Sequence, residues 1–159
     1  MPSRHRRRGP EAAALERYLH ENIPLSRNLG IEVREATHER VVLGAPLAPN
    51  LNHRGTFFGG SAVAVCTLAA WGLAHSRCRG EGLEAHIVIQ RSRMEYLEPA
   101  AGTVDVVSVA PGEEAWRRFA DTVRRKGKGR VRLEAEMHAG GQVVGRFEGS
   151  FVALRDDGR

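Results

Sequence analysis

The chain has 159 residues, of which 42% are hydrophobic and 27% charged, and a formal net charge of +5. That length and balance suit one globular domain with a sizeable core and leave little room for two. Two cysteines, Cys66 and Cys78, are too few for a disulfide scaffold or a zinc site, so no metal is expected.

Residues 1–9 read as a disordered basic arm carrying Arg4, Arg6, Arg7 and Arg8. No apolar stretch follows it, so a secretory signal is not expected and the cytoplasm is the expected compartment. Pro10 can open a helix, and residues 11–20 continue it with good helix formers. Leu15, Tyr18 and Leu19 share one face, which predicts a short helix packed on the domain's edge and stopped by Pro24. Residues 30–34 alternate as a first strand. Residues 39–47 form a second, with Val41, Leu43, Ala45 and Leu47 on one face and Pro46 marking an edge or a strand end.

A polar, glycine-bearing loop follows and turns into an apolar segment. From Gly59 to His75 there is no Asp, Glu, Lys or Arg. The segment predicts a helix over about 59–76, too short and too glycine-interrupted to span a bilayer and therefore buried inside protein. A helix apolar all round needs cover on all sides. Its first residues, Gly59, Gly60 and Ser61, present unpaired backbone N–H groups and the positive end of the helix dipole to a carbonyl oxygen or an anion.

Residues 83–97 return to a strand pattern. Ile87 and Ile89 take odd positions, whereas Met94 and Tyr96 take even ones, which predicts a β-bulge near residues 90–92. Residues 103–109 give the next strand. Residues 113–126 read as an amphipathic helix with Trp116, Phe119 and Val123 on its apolar side. Residues 130–138 alternate cleanly, Gly140 and Gly141 make a hairpin turn, and residues 143–154 return with Phe147 and Phe151 on one face. Residues 155–159 are a polar tail. The tally is an α+β domain over residues 10–154, an antiparallel sheet wrapped around one hydrophobic helix. Its exposed strand edges predict pairing into a homodimer or a dimer of dimers.

This arrangement resembles the hotdog fold, a curved antiparallel sheet around a long central helix. Three features carry the resemblance. They are the run Asn52-His53-x-Gly55-Thr56-x-Phe58-Gly59-Gly60-Ser61, the apolar helix after it, and Met94-x-Tyr96-Leu97-x-Pro99 on the following strand. Together they resemble the thioesterase-like hotdog subfamily, a module also found fused behind acetyltransferase domains. The resemblance implies an acyl thioester of coenzyme A or of acyl carrier protein as substrate, bound at a dimer interface. Coenzyme A or phosphopantetheine then enters as part of the substrate, and no separate cofactor is expected. It also implies that the backbone N–H of Gly60 polarises the thioester carbonyl.

Many hotdog thioesterases carry a carboxylate in the central helix, seven residues after the second glycine, or an aspartate in the preceding loop. Here the helix position is Thr67, and the loop offers Asn50 and Asn52. Asn and Thr do not take up a proton usefully at neutral pH. The catalytic candidates are therefore Gly60 as carbonyl-polarising donor, Asn52 and Thr67 as holders of a water, and His53 as the nearby group that titrates near neutrality. Gly55, Thr56, Phe58, Gly59 and Ser61 are the expected substrate-binding loop, and Arg91 and Arg93 at the expected bulge could reach a phosphate. A second cationic cluster, from Arg124 to Arg132, suits the coenzyme's phosphates or an acidic carrier protein. The lack of a helix carboxylate keeps two other readings open. One is dehydration or decarboxylation on a carrier protein, the other a non-catalytic acyl-coenzyme A module. No nucleic-acid motif accompanies the basic clusters, so neither nucleic acid nor membrane is an expected partner.

Overall fold

The computed structural model describes residues 8–156. The expected basic arm lies outside the described residues up to residue 7, as does the tail from residue 157. Within the described part, Arg8, which falls in the expected arm, forms an ion pair with Glu16.

Six antiparallel strands form one sheet in the order β1-β2-β4-β5-β6-β3. They are β1 (Glu32–Ala36), β2 (Arg40–Ala45), β3 (Ala85–Tyr96), β4 (Val104–Val109), β5 (Lys128–Ala139) and β6 (Gln142–Arg155). β5 alternates strictly, with residues 129, 131, 133, 135 and 137 buried against exposed even-numbered neighbours. The β5–β6 turn uses Gly140 and Gly141 at φ 57° and 78°, a pair of left-handed positions that suits glycine. β6 runs on to Arg155, one residue into the expected tail. Pro46 follows β2 directly and ends it; the sheet's edges are β1 and β3.

The central helix α3 runs from Gly59 to Gly80, one turn longer than the sequence predicts. Gly72, inside the predicted span, lies mid-helix, where a Cβ would stand 3.2 Å from Leu15. Its lack of a side chain lets helix α1 (Pro10–Asn22) pack directly over α3. Pro24 does more than stop α1, because it also opens a short helix, α2 (Pro24–Asn28). Leu15 and Leu19 of α1 are buried, and the helix clips β1 through Glu16, whose carboxylate accepts the Val33 N–H at 2.9 Å. Helix α4 (Glu113–Lys126) buries Trp116, Phe119, Ala120 and Val123.

The cover on α3 is incomplete. Gly59, Val63, Ala64, Thr67, Trp71 and His75 are half-buried and Gly60 is exposed, while the residues between them are buried. Spacings of three and four put this set on one helix face. The open stripe lies beside edge strand β3, to which Trp71 Nε1 donates at the Ile87 carbonyl (2.8 Å). The expected bulge falls between Ile89 and Arg91, where the β3–β6 register shifts. It keeps Ile87 buried before it and Met94 packed against the core after it.

Candidate active site at the start of the central helix

The loop before α3 is built from its own amides. Asn52 Oδ1 accepts the backbone N–H groups of Arg54 (2.9 Å) and Thr56 (3.0 Å), and its Nδ2 donates to Thr56 Oγ1 (2.8 Å). That local hydrogen bonding closes the turn around Gly55, which sits at φ 78°. One amide hydrogen of Asn52 is left to reach a water. His53 lies exposed in this turn.

Asn50 anchors the loop from below and was not singled out as a site residue by sequence reasoning. It is 2% exposed, and its Nδ2 donates to the carbonyls of Leu29 (2.9 Å) and Pro46 (2.8 Å). Its own carbonyl accepts the Phe58 N–H at 2.7 Å, one residue before the glycine pair. The signal for Asn50 in the sequence is a polar residue between Pro49 and a leucine. Its partners at residues 29 and 46 are invisible without the fold.

Phe58 caps α3 without any side-chain hydrogen bond, and the first turn contains no acid. The ladder begins with Ala62 N–H donating to Phe58 O (3.0 Å), so the N–H groups of Gly59, Gly60 and Ser61 precede it. The Phe58 ring lies against Gly60, where a Cβ would meet it at 2.6 Å, yet the ring is 53% exposed. Tyr96 comes from the far end of β3. Its hydroxyl donates to Gly59 O at 3.0 Å, and its ring lies 3.3 Å from where a Gly59 Cβ would stand. Burial and then nearby Cys66 raise the Tyr96 pKa, so the phenol stays a neutral donor. Tyr96, quoted above only for its place in a motif, is thus a neighbour of the glycine pair.

Thr67 lies on the open stripe two turns further along α3. Its Oγ1 donates to Val63 O at 2.8 Å, leaving its lone pairs to accept. Cys66 beside it is buried and pushed up to about 12 by that burial, so it stays a thiol and a packing residue. The structure therefore gathers Phe58, Gly59, Gly60, Ser61 and Tyr96 at the helix start, with the Asn52–Thr56 turn before them and Thr67 along the same groove. Arg91 and Arg93 stand apart from this group. After the bulge, odd-numbered residues of β3 face away from α3, and Arg93 pairs with Glu95 (3.2 Å) on a surface lined by Glu134, Glu136 and Glu148.

The sequence profile of the family described as "Putative thioesterase (yiiD_Cterm)" matches residues 12–155. The chain belongs to this family. Solved structures agree. A Chlorobaculum tepidum protein of unknown function superposes with a TM-score of 0.87 at 28% identity, covering 91% of this chain and 94% of its own. A Shewanella oneidensis protein described as a "putative thioesterase" gives 0.82 at 26% identity, covering 91% and 97%. A protein described as a probable thioesterase from Pseudomonas aeruginosa gives 0.73 at 20% identity over 91% and 96%, a likeness of fold. The hotdog architecture and thioesterase family membership make the chain a thioester hydrolase by family.

Proposed function

We propose that the chain hydrolyses acyl thioesters carried by coenzyme A or acyl carrier protein at the start of α3. The observation that supports this most is the set of N–H groups of Gly59, Gly60 and Ser61, which lie ahead of the helix ladder at the positive end of a 22-residue helix. In this reading the thioester carbonyl oxygen accepts from Gly60 N–H. Negative charge grows on that oxygen as water attacks the carbonyl carbon, and a fixed donor stabilises the transition state more than the ground state. Thr67, whose proton is committed to Val63, accepts a hydrogen from the attacking water and aims its oxygen at the carbon. His53 takes the proton released. Asn52 acts mainly by shaping the turn, with its spare amide hydrogen available to the water. The C–S bond then breaks and the thiol leaves protonated.

The acyl chain lies along the open stripe from Gly60 past Thr67 in this reading, and a second copy of the chain closes that groove. Val88, Ile89, Tyr96 and Leu97 of the β3 segment are each at least 40% exposed, a row of apolar side chains on an unpaired edge. Pairing β3 with its counterpart would cover them and join two sheets into one.

Release of free thiol from short-, medium- and long-chain acyl-coenzyme A by the purified chain tests this. Turnover that disappears in a folded Gly60→Pro variant is the expected result. Absence of turnover on every chain length, on coenzyme A and on carrier protein alike, would leave binding without chemistry as the better reading.

A further inference from the structure

We infer that Tyr96 is a positioning residue for the hydrolysis, its hydroxyl holding the peptide plane that carries the Gly60 N–H. This inference rests on the hydrolase reading, in which that N–H donates to the thioester carbonyl. The Gly59 carbonyl and the Gly60 N–H belong to one peptide unit. The unit is planar and trans, so its oxygen and its hydrogen point in opposite directions and turn together. The Tyr96 hydroxyl donates to the Gly59 oxygen at 3.0 Å. Holding the oxygen on one side therefore aims the hydrogen on the other. A carbonyl has two lone pairs, so the phenol bonds it without displacing a donor of the helix.

The bulge in β3 gives Tyr96 its direction. Ile87 is odd-numbered and turns inward before the bulge, so uninterrupted alternation would send residue 96 to the outer face of the sheet. The register shift between Ile89 and Arg91 reverses that parity, and Met94 and Tyr96 turn inward instead. The backbone at this end of the strand is held by β6. Tyr96 is paired with Gly145, and the Leu97 N–H donates to Val144 O at 2.9 Å. The ring then comes to rest on Gly59, with a ring carbon 3.3 Å and the hydroxyl oxygen 3.4 Å from where a Cβ would stand. A side chain at position 59 would press on the hydroxyl end of the ring, so this glycine seats the phenol.

The plane needs such a hold. It lies between two glycines, the residues with the widest choice of backbone angles, and Phe58 caps the helix with no side-chain hydrogen bond. A donor that rocks is a poor one for a transition state, because stabilisation there depends on dipoles already in place. The phenol also acts through the electrons of the amide. Its bond to the oxygen draws charge from the nitrogen side and makes the N–H a better donor, by roughly 10–30% per bond. The ring is 57% exposed, so water competes for this bond in a lone chain. A second copy paired on β3 would cover the ring and strengthen the bond.

The experiment is Tyr96→Phe, which keeps the ring over Gly59 and removes only the hydroxyl. In the free protein, NMR should show the Gly59 carbonyl carbon and the Gly60 amide proton both moving upfield, with the amides of the last turn of α3 unmoved. This readout needs no substrate and stands even if hydrolysis fails. On acyl-coenzyme A, kcat should fall roughly two- to tenfold, the effect of one hydrogen bond acting through the donor, with KM near wild type. An acyl-coenzyme A analogue with a methylene in place of the thioester sulfur presents a ketone at the same place. Its bound carbonyl stretch should rise in frequency in Tyr96→Phe, because the Gly60 N–H polarises it less. A bond that merely docked β3 on α3 would lower stability and leave that frequency unchanged. Unmoved Gly59 and Gly60 resonances, an unchanged stretch, or a raised KM at full kcat would each overturn the inference. Wild type that turns over no thioester would overturn the hydrolase reading instead, and the resonances would still decide whether the phenol holds the plane.

Discussion

At the C-terminal end of α3, Arg77, Glu81 and Trp116 lock one another in place, whereas at the N-terminal end the donors of the glycine pair precede the helix ladder. Arg77 is 5% exposed, yet its guanidinium reaches Glu113 (2.8 Å) and Glu81 (3.3 Å) and lies 4.6 Å from the Trp116 ring centre. Trp116 Nε1 donates to the Glu81 carboxylate at 2.9 and 3.0 Å. Gly82, at φ 69°, and Leu83 N–H bonded to Cys78 O finish that end. The opposite end has glycine, no capping side chain and an exposed aromatic ring. The same helix thus spends its polar partners where the fold must close and leaves donors free where a ligand can use them.

The sharpest way to break this comparison is at the closed end. Trp116→Ala removes a buried ring and its bond to Glu81, and should lower unfolding free energy by about 3–5 kcal/mol. Urea denaturation would show a lower midpoint at unchanged slope. In protein that remains folded, kcat on a thioester should stay within about a factor of two of wild type. A collapse of kcat there would mean that the two ends are coupled. At the open end the expectation reverses. Gly60→Pro removes an N–H that the ladder does not use, and Gly59 before it has no Cβ to clash with the proline ring; the exposed Phe58 ring, 2.6 Å from where the new Cβ would stand, must swing aside. Turnover should fall by about 2.7–4 kcal/mol in activation free energy, with a stability change below about 1 kcal/mol. Comparable losses of stability and turnover would remove the distinction between the ends.

How far the sequence carried follows from where each residue's partners lie. The bulge in β3 was legible because Ile87, Ile89, Met94 and Tyr96 record side-chain parity within one strand. The glycine pair was legible because a helix start is a local feature. Arg77 was not, since a charged residue near a helix end reads as solvent-facing until Glu113, 36 positions away, and Trp116 are placed beside it. The role of Gly72 was hidden for the same reason, because the Leu15 side chain that needs its space belongs to another helix. Asn50 and Tyr96 reach the site through residues 29, 46 and 59, which only the folded sheet brings near.

Between the two ends, α3 carries a third environment that sharpens the contrast through pH. His75 stacks on Trp71 (4.6 Å, 13° between planes) and against Tyr18 (4.4 Å). Burial, and then the positive charge of Arg79, push its pKa down to about 4. The folded protein therefore holds His75 neutral while the unfolded chain protonates it near pH 6.5. Above that value the shift has no effect on stability, and as pH falls from about 6.5 toward 4 stability is lost. Unfolding followed at pH 7, 6, 5 and 4 should show a steeper acid loss for wild type than for His75→Gln. Parallel curves would mean that this stack does not titrate as the structure implies.

The smallest expected effect has opposite signs in its two readouts. Thr67 donates to Val63 O, a back-bond that slightly weakens a helix, and alanine is the better helix former. Thr67→Ala should therefore leave stability unchanged or raise it by about 0.5 kcal/mol. If the hydroxyl's lone pairs hold the attacking water, the same variant loses one hydrogen bond in the transition state, about 0.5–1.5 kcal/mol, or roughly two- to tenfold in kcat. KM should stay near wild type if the hydroxyl acts on the water and not on the bound acyl group. A stabilised variant with full turnover would assign Thr67 to packing alone and move the water to the Asn52–His53 side of the groove. A stabilised variant with reduced kcat would place a functional hydroxyl on α3 at a cost to its helix.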